Sequence, residues 1–516
     1  MDNKFVSTRG SATRLDFFAS VLQGLGEDGG LMVPDFALPQ LDLSSLQGLS
    51  YEALAARVIS TFVPEGTEPL VATACARAYS RQAFPAEVVP VVPVGDAYVA
   101  ELFHGPTAAF KDMALQLLPH LLTLSLKQSG RARQALILTA TSGDTGKAAL
   151  EGFAGVEGTM IKVFYPVDGV SPIQRQQMIT QSGSNVEVVA VRGNFDDAQR
   201  AVKEAFASDS LREACDAKDL FLTSANSINI GRLVPQIVYY FHAYLKLVER
   251  GVVPVGEPIN YAIPSGNFGN CLAGVMARRM GLPVKRFIVA SNRNNILTDF
   301  FTTGTYDINR PFYKTNAPAM DILVSSNLER LLYLLSGDAS VELRSSSVAT
   351  RQSSNEFDSA LAAPSVVRNL MAQLRDKGRY QVDGVLLGRI RSLFSAGWLS
   401  EDEVVSTLRT YYHDRYYLAD THTAVALGVY ERYRRETSDA TPTVVLSTAS
   451  PYKFPAAVCK AVTGRDVPEE IATEVLLHAT GLPVPASLKD IMERPVLHNK
   501  VIDPNQIVSH IAQSIG

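Results

Sequence analysis

Lys111 sits in the run Leu102-Phe103-His104-Gly105-Pro106-Thr107-Ala108-Ala109-Phe110-Lys111-Asp112, at the start of what reads as a long, nearly all-apolar helix. Helical spacing from the lysine meets Leu115, Leu118 and Leu122. The neighbouring stripe of Phe110, Ala114, Leu117 and Leu121 is apolar too, so the helix is expected to be buried on most sides. Burial penalises the ammonium form of an amine, and the partial positive charge of a helix N-terminus acts in the same direction. A deprotonated lysine is the nucleophile that a Schiff base to an aldehyde cofactor requires. The competing reading is a snorkelling or salt-bridged lysine, with Asp112 as its partner.

Three loops have compositions suited to anions. Ser265-Gly266-Asn267-Phe268-Gly269-Asn270 follows a clean apolar run and precedes a helical one, so its backbone N–H groups would gather at a helix start, where phosphate binds. Thr141-Ser142-Gly143-Asp144-Thr145-Gly146 offers hydroxyls and N–H groups for a carboxylate or phosphate, or side chains that cap the next helix. Asn226-Ser227-Ile228-Asn229-Ile230-Gly231-Arg232 holds an arginine able to grip an anion bidentately, or to lie on the surface behind a helix N-terminus. None of the three has dinucleotide G-x-G-x-x-G spacing, and Gly143 to Ala148 is too short for a P-loop. H-E-x-x-H and G-x-S-x-G are absent, and the eight histidines, His104 and His422 among them, have no metal-ligand spacing, so no metal is expected.

The elements that must position these loops alternate. Ala135–Thr139, Ile161–Tyr165, Asn185–Val191, Ile259–Ile263 and Arg286–Ala290 read as buried strands. Helices are expected from Lys147, after Ser171-Pro172, over Phe195–Phe206 and through Met280. This rhythm argues an α/β fold with a mostly parallel sheet. Before it, Tyr51–Phe62 and Leu70–Tyr79 look helical, Gly24 to Gly30 is a glycine-rich turn, and prolines punctuate Val89–Val94 as an extended boundary. A serine-rich stretch, about 336–365, reads as a solvent-facing excursion.

With 516 residues, 46% hydrophobic and 19% charged, the chain is expected to form two to four soluble domains. A net charge of −4 argues against nucleic-acid or anionic-membrane binding. Four scattered cysteines and an N-terminus without an apolar core suggest reduced thiols in a cytoplasmic protein. The longest apolar stretch, Met113–Leu126, is too short and interrupted to span a bilayer.

Taken in order, the segments around Lys111, Ser142, Asn226 and Gly266 resemble those of the threonine synthases, pyridoxal-phosphate enzymes of fold type II. Gly24 to Pro34, His422-Thr423-Ala424-Val425 and Ser447-Thr448-Ala449 extend the resemblance over most of the chain. It implies two open, mostly parallel α/β domains with the cofactor between them, plus an N-terminal domain. The corresponding boundaries are 1–100, 101–230 (Lys111 and the Ser142 loop) and 231–516 (the Gly266 loop). Lys111 would hold pyridoxal 5′-phosphate as a Schiff base and then act as acid and base. Gly266, Asn267, Phe268, Gly269 and Asn270 would cradle the cofactor phosphate, and Thr448 would face the pyridine nitrogen. Ser142, Gly143, Asp144 and Thr145 would receive the substrate α-carboxylate; Asn226, Ser227 and Arg232 would take the substrate phosphate.

The implied reaction converts O-phospho-L-homoserine and water to L-threonine and phosphate, in a cytoplasmic monomer or homodimer with no nucleic-acid or membrane partner. Thr421 stands before His422 where the family often has proline, and Ser450 where many members have histidine. These departures leave open a phospho-lyase that releases 2-oxobutyrate, or a non-catalytic cofactor-binding paralogue.

Overall fold

The short apolar runs become the central strands of two separate sheets in the computed structural model, which describes residues 3–130, 134–167, 170–193, 195–337 and 362–515. In chain order the strands are β1 (Phe5–Ser7), β2 (Met32–Pro34), β3 (Val91–Val94), β4 (Ala97–Glu101), β5 (Gln134–Ala140), β6 (Thr159–Pro166), β7 (Val186–Val191) and β8 (Leu220–Ser224). They continue as β9 (Ile259–Pro264), β10 (Val284–Ser291), β11 (Thr305–Asp307), β12 (Arg379–Gln381), β13 (Phe394–Trp398), β14 (Thr443–Ser447) and β15 (Lys500–Ile502). One sheet has the order β15-β7-β6-β5-β8 and is parallel throughout. The other has the order β13-β10-β9-β14-β4-β3, parallel except for the β3–β4 hairpin. All six residues of β9 are buried, as a strand covered on both faces requires. Pro93 falls in β3, an edge strand where its missing N–H breaks no inner ladder.

The two sheets do not divide the chain into consecutive halves. β3 and β4 join the sheet built mainly from residues after 259, and β15 returns from the C-terminus to the edge of the sheet that holds β5 to β8. The N-terminal helices Tyr51–Ile59 and Glu68–Ala78 pack on each other and share the largest apolar core with both sheets. The serine-rich stretch lies, apart from its ends, between residues 338 and 361 and so outside the described residues. All four cysteines are free and buried. Among the described residues no helix is long and apolar enough to cross a membrane.

Two local expectations change. The long helix after Lys111 is two helices, Asp112–Leu115 and Leu118–Gln128, with Lys111 at the N-cap of the first. Pro119 has no N–H to donate back to residue 115, so the ladder stops and restarts there. The helix expected from Lys147 begins at Asp144 instead. Thr141 Oγ1 accepts the N–H groups of Gly143 (3.0 Å) and Gly146 (2.8 Å), satisfying amides that the first turn leaves without acceptors.

Candidate active site

A short backbone splice sets Lys111 in place. Ala109 bridges Ala449 antiparallel, Phe110 N donates to Thr448 O (2.8 Å), and Ser450 N donates to Ala108 O (3.0 Å). The segment leading to the lysine is thereby fastened to the segment that leaves β14. Ala108 is held in the left-handed region at φ 58°, a conformation unfavourable for a residue with a Cβ and sustained here by the surrounding bonds. Asp112 is buried and turned back to accept from Thr107 N (2.8 Å) and Thr107 Oγ1 (2.7 Å). It serves the Thr107 turn, and Gly105 makes room: a Cβ there would lie 2.6 Å from Asp112 Cβ.

The Lys111 ammonium group lies 4.6 Å from the centroid of the Phe110 ring. Burial pushes its pKa down to about 8, the Arg232 charge adds to the fall, and Asp144 opposes it. An amine in that range has a substantial neutral fraction near physiological pH and is a competent nucleophile.

A cavity of about 1620 Å³ gathers the sequence candidates around this amine. Its lining includes Lys111, Ser142, Asp144, Thr145, Asn226, Ser227, Arg232, all of Gly266 to Asn270, and Thr448. Gly143 is the one candidate outside the lining; it caps the helix Asp144–Phe153, and a Cβ on it would meet the Gln174 side chain at 2.5 Å.

In the Gly266 loop the carbonyls are turned outward. Gly266 O accepts from Ser325 Oγ (2.7 Å), and Asn267 O accepts from Asn327 N (3.1 Å) and Nδ2 (3.2 Å). A Cβ on Gly266 would come 3.1 Å from Ala319 O, a tight contact that glycine avoids. Phe268 takes φ 62° at the N-cap of helix Gly269–Arg279, its ring buried 5.6 Å from Phe301 and 5.9 Å from Phe394. The amides that open this helix have no intrahelical acceptor, a donor set suited to phosphate. Asn270 plays a different part: it accepts from Ser265 Oγ (2.8 Å) and donates to Pro264 O (2.9 Å), so its side chain braces the loop.

Arg232 is 3% exposed and has no carboxylate beside it in the ion pairs of the described residues. Its Nη1 donates to Ala225 O (2.8 Å), while Nε and the nearby Asn226 Oδ1 are buried without partners. Burial lowers its pKa to about 10. A buried guanidinium with a free N–H at a cavity wall is costly unless an anion completes it. Arg330 fixes this loop from behind, donating to Ile228 O (2.6 Å) and Asn327 Oδ1 (2.6 Å).

Several residues of the site were not among the candidates. Lys453 is fully buried and pairs with Asp144 Oδ1 at 2.8 Å, and Gln174 Nε2 donates to the same oxygen at 2.9 Å. Burial alone would raise the Asp144 carboxyl; the Lys453 charge and these bonds hold it below the usual carboxylate range. His422, which the sequence marks only by its place in the His422–Val425 segment and gives no role, lines the cavity with Nδ1 on Asp420 Oδ2 (2.7 Å) and Nε2 accepting from Ala319 N (3.0 Å). That pairing fixes the Nδ1–H tautomer. The cue for Lys453 is a lone cation between Tyr452 and Phe454, four residues after Ala449; its partner is far away in sequence and carries no matching cue.

Two sheets meeting around an amine-bearing cavity define a class, and comparison with known proteins agrees: residues 94–352 match the pyridoxal-phosphate dependent enzyme family. Residues 4–79 match the threonine synthase N terminus and residues 423–511 the threonine synthase C-terminal model. Threonine synthase of Pseudomonas aeruginosa is 37% identical, with 98% of each chain covered. The pyridoxal-phosphate-bound threonine synthase structure from Brucella melitensis is 36% identical over 99% of this chain and 98% of that one, TM-score 0.81. The yeast threonine synthase structure covers 100% of this chain and 98% of its own at 31% identity, TM-score 0.85. Human threonine synthase-like 1 is 34% identical over 97% of this chain, which spans only 66% of that longer relative. The chain belongs to the threonine synthase family.

Proposed function

We propose that this chain converts O-phospho-L-homoserine and water to L-threonine and inorganic phosphate with pyridoxal 5′-phosphate as cofactor. The observation that carries the reading is the buried, incompletely bonded Arg232 beside Lys111, in one cavity with the Gly266 loop. A substrate that is both an amino acid and a phosphate ester needs that combination: an amine-linked cofactor site and a second anion site.

Lys111 would hold the cofactor through its amine, the amides of Gly266 to Asn270 its phosphate, and the Thr448 hydroxyl its ring nitrogen. Loop dimensions and donor types fit such a group: N–H donors at a helix start and a glycine where a Cβ would crowd Ala319. When bound, pyridoxal phosphate withdraws electrons from the substrate Cα and Cβ. Lys111, once released, takes the proton from Cα and then one from Cβ, so that a Cβ–Cγ double bond can form as the Cγ–O bond breaks, and it returns protons to Cγ and finally to Cα. The Ser142–Thr145 loop orients the α-carboxylate, and Arg232 with Asn226 and Ser227 binds the ester phosphate and stabilises it as it departs from Cγ. Water then adds at Cβ. A cytoplasmic monomer or homodimer is the form in which we expect the enzyme to act.

Product analysis tests the reading. Threonine formed in equal amount to phosphate supports it, 2-oxobutyrate with phosphate makes the protein a phospho-lyase, and absence of both removes the assignment.

A further inference from the structure

An acidic residue in a loop that must take a carboxylate is a contradiction on its face. Asp144 opens the helix Asp144–Phe153 and lines the cavity with Ser142 and Thr145. An ionised Asp144 would repel a substrate α-carboxylate bound to this loop, and inside a protein like charges a few ångströms apart repel far more than in water.

Lys453 removes the contradiction. It ends the turn Pro451–Lys453 that follows Thr448, and its side chain is 0% exposed. Its ammonium donates to Asp144 Oδ1 (2.8 Å), Gln177 Oε1 (2.5 Å) and Thr107 O (3.4 Å). One cation thus touches the carboxylate loop, the helix Pro172–Ile179 and the turn that leads into Lys111. Gln174, on the same helix as Gln177, donates to Asp144 Oδ1 as well (2.9 Å). The arrangement is over-built for packing alone. Met or Leu could fill the space, and burying an ion pair is a poor way to gain stability.

We propose that Lys453 is the positioning residue that neutralises Asp144, so that the Ser142–Thr145 loop accepts the substrate's α-carboxylate. The inference rests on the reading of that loop given above. Asp144, in this account, orients the loop through its bonds to Gln174 and Lys453 and contributes no net charge to the subsite.

The test is a spectral titration of the cofactor-loaded protein at pH 9 with two amines that cannot turn over. L-norvaline carries an α-carboxylate; n-butylamine lacks one. In Lys453→Met the uncompensated Asp144 should weaken norvaline on the order of 10- to 100-fold while butylamine changes by less than about threefold. Lys453→Met/Asp144→Asn, which removes both charges, should recover norvaline affinity to within about tenfold of the parent. Equal losses for the two amines, or no recovery in the double variant, would overturn the proposal in favour of a packing role. A parent protein that binds norvaline no better than butylamine would overturn it too, by showing that the loop takes no carboxylate. Failure to turn over O-phospho-L-homoserine is read separately, in the product assay, and leaves these ratios meaningful.

Discussion

The Phe110 N–H donates to Thr448 O at 2.8 Å, so the backbone just before Lys111 and the backbone carrying the Thr448 hydroxyl move as one body. The bridge between Ala109 and Ala449 locks the same register. A group held by the lysine at one end and by the threonine at the other would therefore see a fixed span. Thr448→Val keeps the shape of the side chain and removes the hydroxyl. Turnover should fall by about 10- to 1000-fold with cofactor content close to parental, since one hydrogen bond to the reacting system is lost while the anchoring lysine stays. Parental kcat in Thr448→Val would show that the hydroxyl does not face the ring.

Lys111→Ala should abolish turnover and the absorbance of covalently held cofactor together, with the fold unchanged by circular dichroism. The side chain makes no ladder or cap bond that a helix could miss: the N-cap at 111 has no side-chain bond.

Removing Arg232 tests the second anion site. Arg232→Ala should raise KM for O-phospho-L-homoserine by about 10- to 100-fold, the worth of a charge-assisted bond, with cofactor retained. Ser227→Ala should raise it less. Unchanged kinetics in both variants would remove these residues from the phosphate site.

The cofactor-free chain carries a pH signature. Burial and Arg232 lower Lys111 from 10.5 to about 8, so between those values the unfolded chain holds a proton that the folded chain has lost. Unfolding then binds a proton, and this group's contribution makes the folded state more stable as pH rises through that window, fully so above about 10.5. Acetylation of Lys111, followed by peptide mass spectrometry, should show a midpoint near 8 where exposed lysines titrate near 10.5. In Arg232→Ala the midpoint should move up. A parental midpoint like that of surface lysines would contradict the burial of the amine.

Much of this arrangement is legible before any coordinates. The strands β5, β6, β7 and β9 are short apolar runs closed by Gly or Pro, β10 is one opened by Pro283, and the lysine and the three loops stand out by composition. What is hidden follows from distance along the chain and from competition at helix ends. Nothing near Asp144 announces that its counter-ion is Lys453, because a buried pair between remote segments leaves no periodic trace. The return of β15 to the sheet edge beside β7 is equally silent: its exposed Lys500 and Val501 read like a surface loop. The break after Leu115 was visible as Pro119, but the apolar stripe running through it made one helix look simpler than two.

Gly152 connects packing to chemistry at a distance from the cavity. It lies in the helix Asp144–Phe153, where a Cβ would stand 2.1 Å from Leu115 O and 3.0 Å from Leu115 C. Leu115 closes the short helix that Lys111 opens, and both contacted atoms are backbone, which cannot swing aside as a side-chain tip would. Gly152→Ala should therefore push the two helices apart, at a cost of about 1–3 kcal/mol from overpacking, less the modest gain of alanine in a helix. Because Lys111 sits at one end of the displaced helix and Asp144 at the start of the other, activity should fall by more than the loss of folded protein explains. Denaturant unfolding and kcat measured on the same preparation separate the two effects. A variant with parental stability and parental kcat would mean that the helices do not approach this closely.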